Sequence, residues 1–255
     1  MKLSKNISAV ITGGASGLGA AVSEILSSKN VKVTLFDSNE DKGKKQAKKI
    51  SGFFKNVDVT SPESIRNGLI DARKIFGQER ICINCAGIAP AMKTVSRGNA
   101  HDSKLFSNVI SVNLLGSFFV ASQSASGMSN AEEINKDGER GIIINTSSIA
   151  AFDGQIGQAA YAASKGGVAS LTLPMARDLS RKGIRVVSIA PGVFETPMLE
   201  AMPKEIQNNI SSQIPFPNRL GKPEEFAFLI QHIIENIMIN GEVIRIDGAI
   251  RMAPK

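Results

Sequence analysis

A short apolar strand, Ser8-Ala9-Val10-Ile11, runs directly into Thr12-Gly13-Gly14-Ala15-Ser16-Gly17-Leu18-Gly19 and then into a helical run from Ala20 to Ser28. Few folds accommodate that order of strand, glycine-rich turn and helix. The helix that follows the turn presents unpaired amides and its positive dipole end to whatever lies in front of it. Such a helix start favours a phosphate, and strand, glycine turn and helix are the context that a dinucleotide fingerprint requires. Gly13 permits the tight turn, Gly17 lets the backbone approach the phosphates, and Gly19 lets the helix close on the sheet. Ser16 and Leu18 lie in the same loop and share the cofactor contact. A glycine-rich loop alone is weak evidence; the flanking strand and helix supply the context.

The rest of the chain repeats the strand–helix rhythm. Val31 to Phe36 is a strand ending on Asp37, 18 residues after Gly19. An acidic group there accepts hydrogen bonds from the adenosine ribose hydroxyls and repels a 2′-phosphate. Ala15, Ser16 and Ser38 offer no cation to offset that repulsion, so the pattern favours NAD over NADP. The competing role for Asp37 is capping a turn at a strand end. A third strand, Phe53 to Val57, ends at Asp58-Val59, where Asp58 is placed to accept from an adenine amino group. A helix, Ser64 to Phe76, leads to strand Ile81 to Asn84 and then to Cys85-Ala86-Gly87. Ile142 to Asn145 reads as a central strand delivering Thr146-Ser147-Ser148. Arg185 to Ala190 is a sixth strand, broken by Pro191-Gly192, with Phe194 and Thr196 following at a distance suited to a nicotinamide carboxamide. Helix Pro223 to Glu235 and strand Glu242 to Ile246 close the series. The rhythm predicts an α/β fold: a doubly wound parallel sheet of about seven strands with helices on both faces. No linker interrupts it, so residues 1–255 read as a single domain.

Composition bounds the function classes. Hydrophobic content of 42% and charged content of 21% are globular values, and no apolar run approaches the length needed to span a bilayer. The amino-terminal residues show no apolar signal core. The formal charge of +7 gives a mild attraction to anionic ligands, but part of it sits in Asp41 to Lys49, which reads as a solvated helix face. No nucleic-acid-binding motif accompanies the charge, which makes nucleic acid at most a secondary partner. Two cysteines and two histidines are too few and too scattered for a metal site, and none is expected. Cys82 and Cys85 form a C-x-x-C pair; Cys82 sits inside an apolar run and reads as a buried small hydrophobe in a reducing compartment.

The chemistry is concentrated in Tyr161-Ala162-Ala163-Ser164-Lys165, within a small-residue helical run from Gln158 to Leu173. Residues four apart share one helix face, so the phenol and the amine lie one turn from each other. Tyr161 is the single tyrosine of the chain. A phenol titrates near about 10, so accepting a proton at neutral pH requires about 4 kcal/mol of differential stabilisation. A fixed cation one turn away supplies part of that by favouring phenolate, so Lys165 is expected to lower the Tyr161 pKa. By itself such a pair is more often an idle surface contact. The segment Ile149 to Gly157 would form the pocket wall, and Met198 to Ile214 a helical lid. Two polar stretches, 88–104 and 129–140, are long enough to be functional or mobile. Lys93, Arg97 and Lys104 in the first either receive an anionic substrate tail or are simply solvated.

Together these residues resemble the short-chain dehydrogenase/reductase family, a Rossmann-type fold, over essentially the whole chain. The family's glycine motif matches Gly13, Gly17 and Gly19, and its N-A-G element matches Asn84-Cys85-Ala86-Gly87 with Cys85 inserted. Its Asn, Ser, Tyr and Lys match Asn113, Ser148, Tyr161 and Lys165. Longer stretches, Val10 to Gly19, Gly154 to Tyr161 and Asn240 to Met252, are similar to the branch acting on 3-hydroxyacyl-CoA, which also carries two polar insertions. Glu195 departs from it, standing where similar enzymes tend to have Gly.

The resemblance implies NAD-dependent oxidation of 3-hydroxyacyl-CoA to 3-oxoacyl-CoA. Tyr161 would be the general base and Ser148 the stabiliser of the oxyanion. Lys165 would also bond the nicotinamide ribose, and Asn113 would hold a relay water. Gln155 and Gln158 would contact the thioester or acyl group, or merely the backbone. Carrier-linked or steroid substrates form the second enzyme reading, and a scaffold or RNA-processing subunit a third. The resemblance further implies a homotetramer packed through helices 105–128 and 158–173, in the cytoplasm of a bacterium or the mitochondrial matrix of a eukaryote.

Overall fold

Seven parallel strands make the central sheet of the chain, for which a computed structural model describes residues 1–200 and 211–254. They are β1 (Ser8–Thr12), β2 (Lys32–Asp37), β3 (Phe53–Asn56), β4 (Ile81–Asn84), β7 (Gly141–Thr146), β8 (Ile184–Pro191) and β9 (Val243–Ile246). Between them a small antiparallel hairpin is formed by β5 (Val95–Ser96) and β6 (Asn99–Ala100). The sheet order is β3-β2-β1-β4-β7-β8-β9. The doubly wound α/β expectation with about seven strands is therefore borne out. β1, β4, β7 and β8 are buried at every residue, the continuous apolar pattern of a sheet covered on both faces.

Two apolar layers flank the sheet. On one side Ile11, Leu35, Ile83 and Ile144 pack with Val22 and Leu26 of α1 (Gly17–Ser28) and Phe226 and Ile230 of a carboxyl-terminal helix, α8 (Pro223–Glu235). On the other, Val10, Cys82, Ile143 and Val186 pack with Ile65 and Leu69 of α3 (Pro62–Phe76) and Val120 and Met128 of α5 (Gly116–Met128). Cys82 is fully buried, its thiol pushed up to about 12 by burial, as a small core hydrophobe. The helix α2 (Glu40–Lys49) has the solvated face expected of it, burying only Gly43, Gln46 and Ala47.

Chain order reverses between β1 and β4: the chain runs outward to β3 and then returns to the opposite side of β1. Loops diverge there at the carboxyl ends of the strands, and that crevice is where such sheets bind ligands.

Three local features differ from expectation. The helix expected over 105–128 is α4 (Ser103–Ile110), a π-helical turn over Ser111–Leu115, and α5, running on as one rod. At 26 residues, Ser103–Met128 is long and apolar enough to cross a bilayer by length and composition, contrary to the expectation that no run approaches that length. Its small polar residues disguise it in the sequence, and here its inner face, with Asn113, Ser117, Val120 and Ser124, is buried against the sheet side. The helix expected over 158–173 is α6 (Ala159–Asp178), which runs past Pro174 because Met175 and Ala176 beyond that proline are buried in the core. The stretch 129–140 leads into the start of β7, at the end of the sheet opposite the crevice. Glu139, Asn135 and Arg185 pin it there by hydrogen bonds. Of the expected lid, the described residues show helix α7 (Pro197–Glu200) and the buried Ile214; residues 201–210 lie outside the described residues.

Candidate active site

The glycine loop is built by close approach of two backbones. Gly13 has φ +63°, and a Cβ there would stand 2.7 Å from the amide nitrogen of Ala86. Only a residue without a side chain lets the β1 loop lie against Cys85-Ala86-Gly87, which Thr12 ties down by accepting from the amides of Cys85 and Ala86. A Cβ on Gly19 would collide with the Gly13 carbonyl, so this glycine closes the helix onto the loop itself. Ser16 occupies the N-cap of α1 without a side-chain capping bond, which leaves the first-turn amides to a ligand. A Cβ on Gly17 would stand 3.5 Å from Thr196 and 3.6 Å from Pro197, which flank the loop from the β8 side.

Asp37 ends β2 facing this loop. Its Oδ2 accepts from the amide of Ala15 at 3.1 Å and its Oδ1 from the amide of Asn39 at 2.9 Å. The carboxylate is thereby fixed beside the helix start. A backbone cradle that any Cβ would fill, uncapped helix amides and an oriented carboxylate together fit an adenine dinucleotide. Asp58 lies at the next strand end, with Oδ1 accepting from both the amide and the hydroxyl of Thr60; Val59 follows, half-buried beside Gly116. Pro191 is the last residue of β8. The Phe194 ring turns into the core, edge-on to Phe226 at 6.2 Å, so its side chain serves packing.

The reactive groups gather where β4 and β7 end. Ser148 follows β7 and caps a 3-10 turn, its Oγ accepting from the Ala150 amide at 3.1 Å. Ser148 also acts on Tyr161, 13 residues further along the sequence, its side chain favouring the ionised phenol. Lys165 is buried, donates to the carbonyl oxygen of Thr146 at 2.7 Å, and lies 5.8 Å from the centroid of the Tyr161 ring. Burial lowers its pKa to about 8. Asn113 sits within the π-turn, fully buried. It accepts from the amide of Ile88 and donates to the Ile88 carbonyl and to Ser164 Oγ, which in turn donates to the carbonyl of Tyr161. Gly87 lies between Asn113 and Lys165, where a Cβ would be 3.2 Å from Asn113 Oδ1 and 3.6 Å from Lys165 Nζ.

One electrostatic expectation is corrected. Tyr161 is not lowered in the chain by itself: burial raises its pKa above the ordinary phenol value, and the hydrogen bond from Ser148 acts in the opposite direction. The lysine charge is spent on the Thr146 carbonyl and is itself disfavoured by burial, so it does not offset the desolvation of a phenolate.

The glutamines also differ. Gln155 donates from Nε2 to the carbonyl of Ala253 at 2.9 Å, and Gln158 Oε1 accepts from the Gln155 amide at 3.0 Å. Both side chains hold the wall together, the backbone role that was the alternative to substrate contact. Phe152 and Ile156, at 54% and 50% exposure, are the wall's open apolar groups, and the sequence reading passed over them. Their only signal was apolar residues set among polar ones between Ser148 and Tyr161. Lys93, Arg97 and Lys104 are exposed on or beside the β5–β6 hairpin, where the turn residues Arg97 and Gly98 both have positive φ. Met92 joins this loop to the wall by donating to the Gly157 carbonyl.

A sequence model of the family described as short chain dehydrogenase matches residues 8–207. The chain is 51% identical over 254 residues to the 3-hydroxyacyl-CoA dehydrogenase type-2 of Bos taurus, covering 98% of this chain and 97% of that protein. The Homo sapiens protein of the same name is 50% identical with the same coverage. The crystal structure of 3-hydroxyacyl-CoA dehydrogenase type-2 from Mycobacterium avium superimposes with a TM-score of 0.94 at 39% identity, over all of both chains.

Proposed function

The chain belongs to the short-chain dehydrogenase family, and on that footing we propose that it oxidises 3-hydroxyacyl-CoA to 3-oxoacyl-CoA, reversibly, with NAD. The observation that carries the reading is the intact group Asn113, Ser148, Tyr161 and Lys165 in a chain half identical to dehydrogenases of that name. NAD, when bound, supplies the hydride acceptor and a positive charge beside the phenol. Gly13, Ser16, Gly17, Leu18 and Gly19 would hold its pyrophosphate and Asp37 its ribose.

The chain's own groups handle the proton. Ser148 orients the alcohol and steadies the negative charge developing on its oxygen. Tyr161 takes the hydroxyl proton at its phenol oxygen. Lys165, held by Thr146, passes that proton on, and a pKa near 8 lets its amine both give and accept it around working pH. Asn113 fixes the Ile88 backbone and, through Ser164, the first turn of α6. The Asp37 carboxylate disfavours a 2′-phosphate, which supports NAD over NADP.

The proposal extends to a homotetramer, supported by the exposed Phe106, Leu115 and Phe118 on the 103–128 rod and Leu173 on α6. It places the enzyme in the bacterial cytoplasm or the mitochondrial matrix. Steady-state oxidation of 3-hydroxyacyl-CoA substrates of increasing length, with NAD and NADP compared, tests it. Turnover with NAD across that series is expected. Turnover confined to NADPH and carrier-linked or steroid ketones would overturn it.

A further inference from the structure

The segment joining Ser148 to Tyr161 carries no regular structure after the 3-10 turn, yet it is tethered from outside at most of its length. Gln155 Nε2 donates to the Ala253 carbonyl at 2.9 Å, and the Ile156 amide donates to the Pro254 carbonyl at 3.0 Å. Arg245, at the end of the edge strand β9, donates to Asp153 Oδ2 at 2.7 Å and to the Ile250 carbonyl at 3.1 Å, with its guanidinium over the Phe152 ring at 5.4 Å. Asp247 holds the same Arg245 at 2.7 Å and Arg251 at 3.2 Å. On the opposite side Met92 donates to the Gly157 carbonyl. The carboxyl-terminal residues therefore run along the wall and fix it, although they are nearly a hundred residues away in sequence.

We propose that residues 250–254 are a strap that sets the position of the wall 152–158, with Gln155 the positioning residue through which the strap acts on acyl-chain binding. The proposal rests on the reading of this site as one for acyl-CoA. A loop needed only to connect a turn to a helix has no use for bonds to a distant tail. Here the tethers hold Ile156 and the part of Phe152 that Arg245 leaves uncovered open to solvent, and an apolar group laid over them gains free energy by removing that surface from water. The wall's two ends are Ser148 and Tyr161, so its placement sets where the acyl chain lies relative to the reacting carbon. Gln155 touches no reacting atom. Its effect is expected in acyl-CoA affinity and not in the chemical step.

The test is Gln155→Leu, which keeps bulk and removes the donor, together with a chain shortened by residues 253–255. Hydrogen exchange over 153–157 and steady-state kinetics with short and long 3-hydroxyacyl-CoA are measured on each. Loss of one hydrogen bond predicts a rise of about threefold to tenfold in acyl-CoA KM, larger for the long chain, with kcat and the NAD KM changed by less than about twofold. The Ile156 amide should exchange about tenfold faster. Unchanged exchange would overturn the strap. Faster exchange with unchanged acyl-CoA KM, or a raised acyl-CoA KM accompanied by an equal change in kcat and NAD KM, would overturn the positioning role. Should the unaltered enzyme oxidise no acyl-CoA, the functional reading fails, while exchange at Ile156 still decides the strap.

Discussion

Lys165 donates its ammonium group to the main-chain carbonyl of Thr146 at 2.7 Å, one residue beyond the register pair Asn84–Asn145 at the centre of the sheet. The amine is thus bonded to the strand end, 5.8 Å from the centre of the ring it serves. Being buried, it is depressed to about 8, whereas an unfolded lysine titrates near about 10.4. Between those values the unfolded chain binds more protons than the folded one. Stability from this group therefore rises with pH from about 8 to about 10.4, and below that window the full penalty of a buried cation is present. The penalty is about 3 kcal/mol at most. Denaturation midpoints measured from pH 7.5 to 10 should climb for the natural chain and stay flatter for Lys165→Met, which also loses activity.

Tyr161→Phe keeps the ring and removes the proton acceptor. Oxidation should fall by about 10²- to 10⁴-fold, the ordinary range for general acid–base catalysis. NAD affinity measured by calorimetry should stay within about threefold of the natural chain. Turnover retained at the natural rate would mean that another group takes the proton. The raised pKa of Tyr161 in the chain alone also implies that the oxidation rate climbs through the alkaline range, as the phenolate population grows.

Gly13→Ala forces a Cβ to 2.7 Å from the Ala86 nitrogen while holding φ at +63°. The left-handed conformation alone costs an alanine about 1–2 kcal/mol, and the clash adds to it. The loop has to shift, so NAD affinity should drop by about tenfold or more. Melting temperature should fall as well, and added NAD should restore less of it than in the natural chain.

Glu139 sits at the other end of the sheet, buried and bonded to both Nε and Nη2 of Arg185. Removing it by Glu139→Ala leaves the guanidinium buried beside carbonyls alone, a change of about 3–5 kcal/mol. Chemical denaturation should show that loss. The KM values of the folded enzyme should not move, since among the described residues no group of the crevice bonds to this pair.

The scaffold was legible because its signals are local and repeated. β1, the glycine loop and α1 lie where strand, turn and helix residues put them, and Asp37 lies at a strand end that periodicity alone locates. Ser148 and Tyr161 were recognisable by type and spacing, and the first favours ionisation of the second. What escaped were effects set by partners distant in sequence. The phenol's pKa depends on burial and on a competing carbonyl from β7, neither of which Tyr161-Ala162-Ala163-Ser164-Lys165 discloses. Gln155 finds its partner in Ala253, and Phe194 turns toward Phe226. Pro174 reads as a helix end, but the buried Met175 and Ala176 outweigh one lost hydrogen bond.

The wide turn at Ser111–Leu115 holds one more residue than a regular helical turn would, and Asn113 is at its middle. Each residue of a helix advances its side chain by about 100°. Removal of a single residue from this rod would relax the bulge and swing the amide away from Ile88 and Ser164. The rod from Ser103 to Met128 is consequently intolerant of length change even where its individual side chains are free to vary: its residue count decides where Asn113 stands.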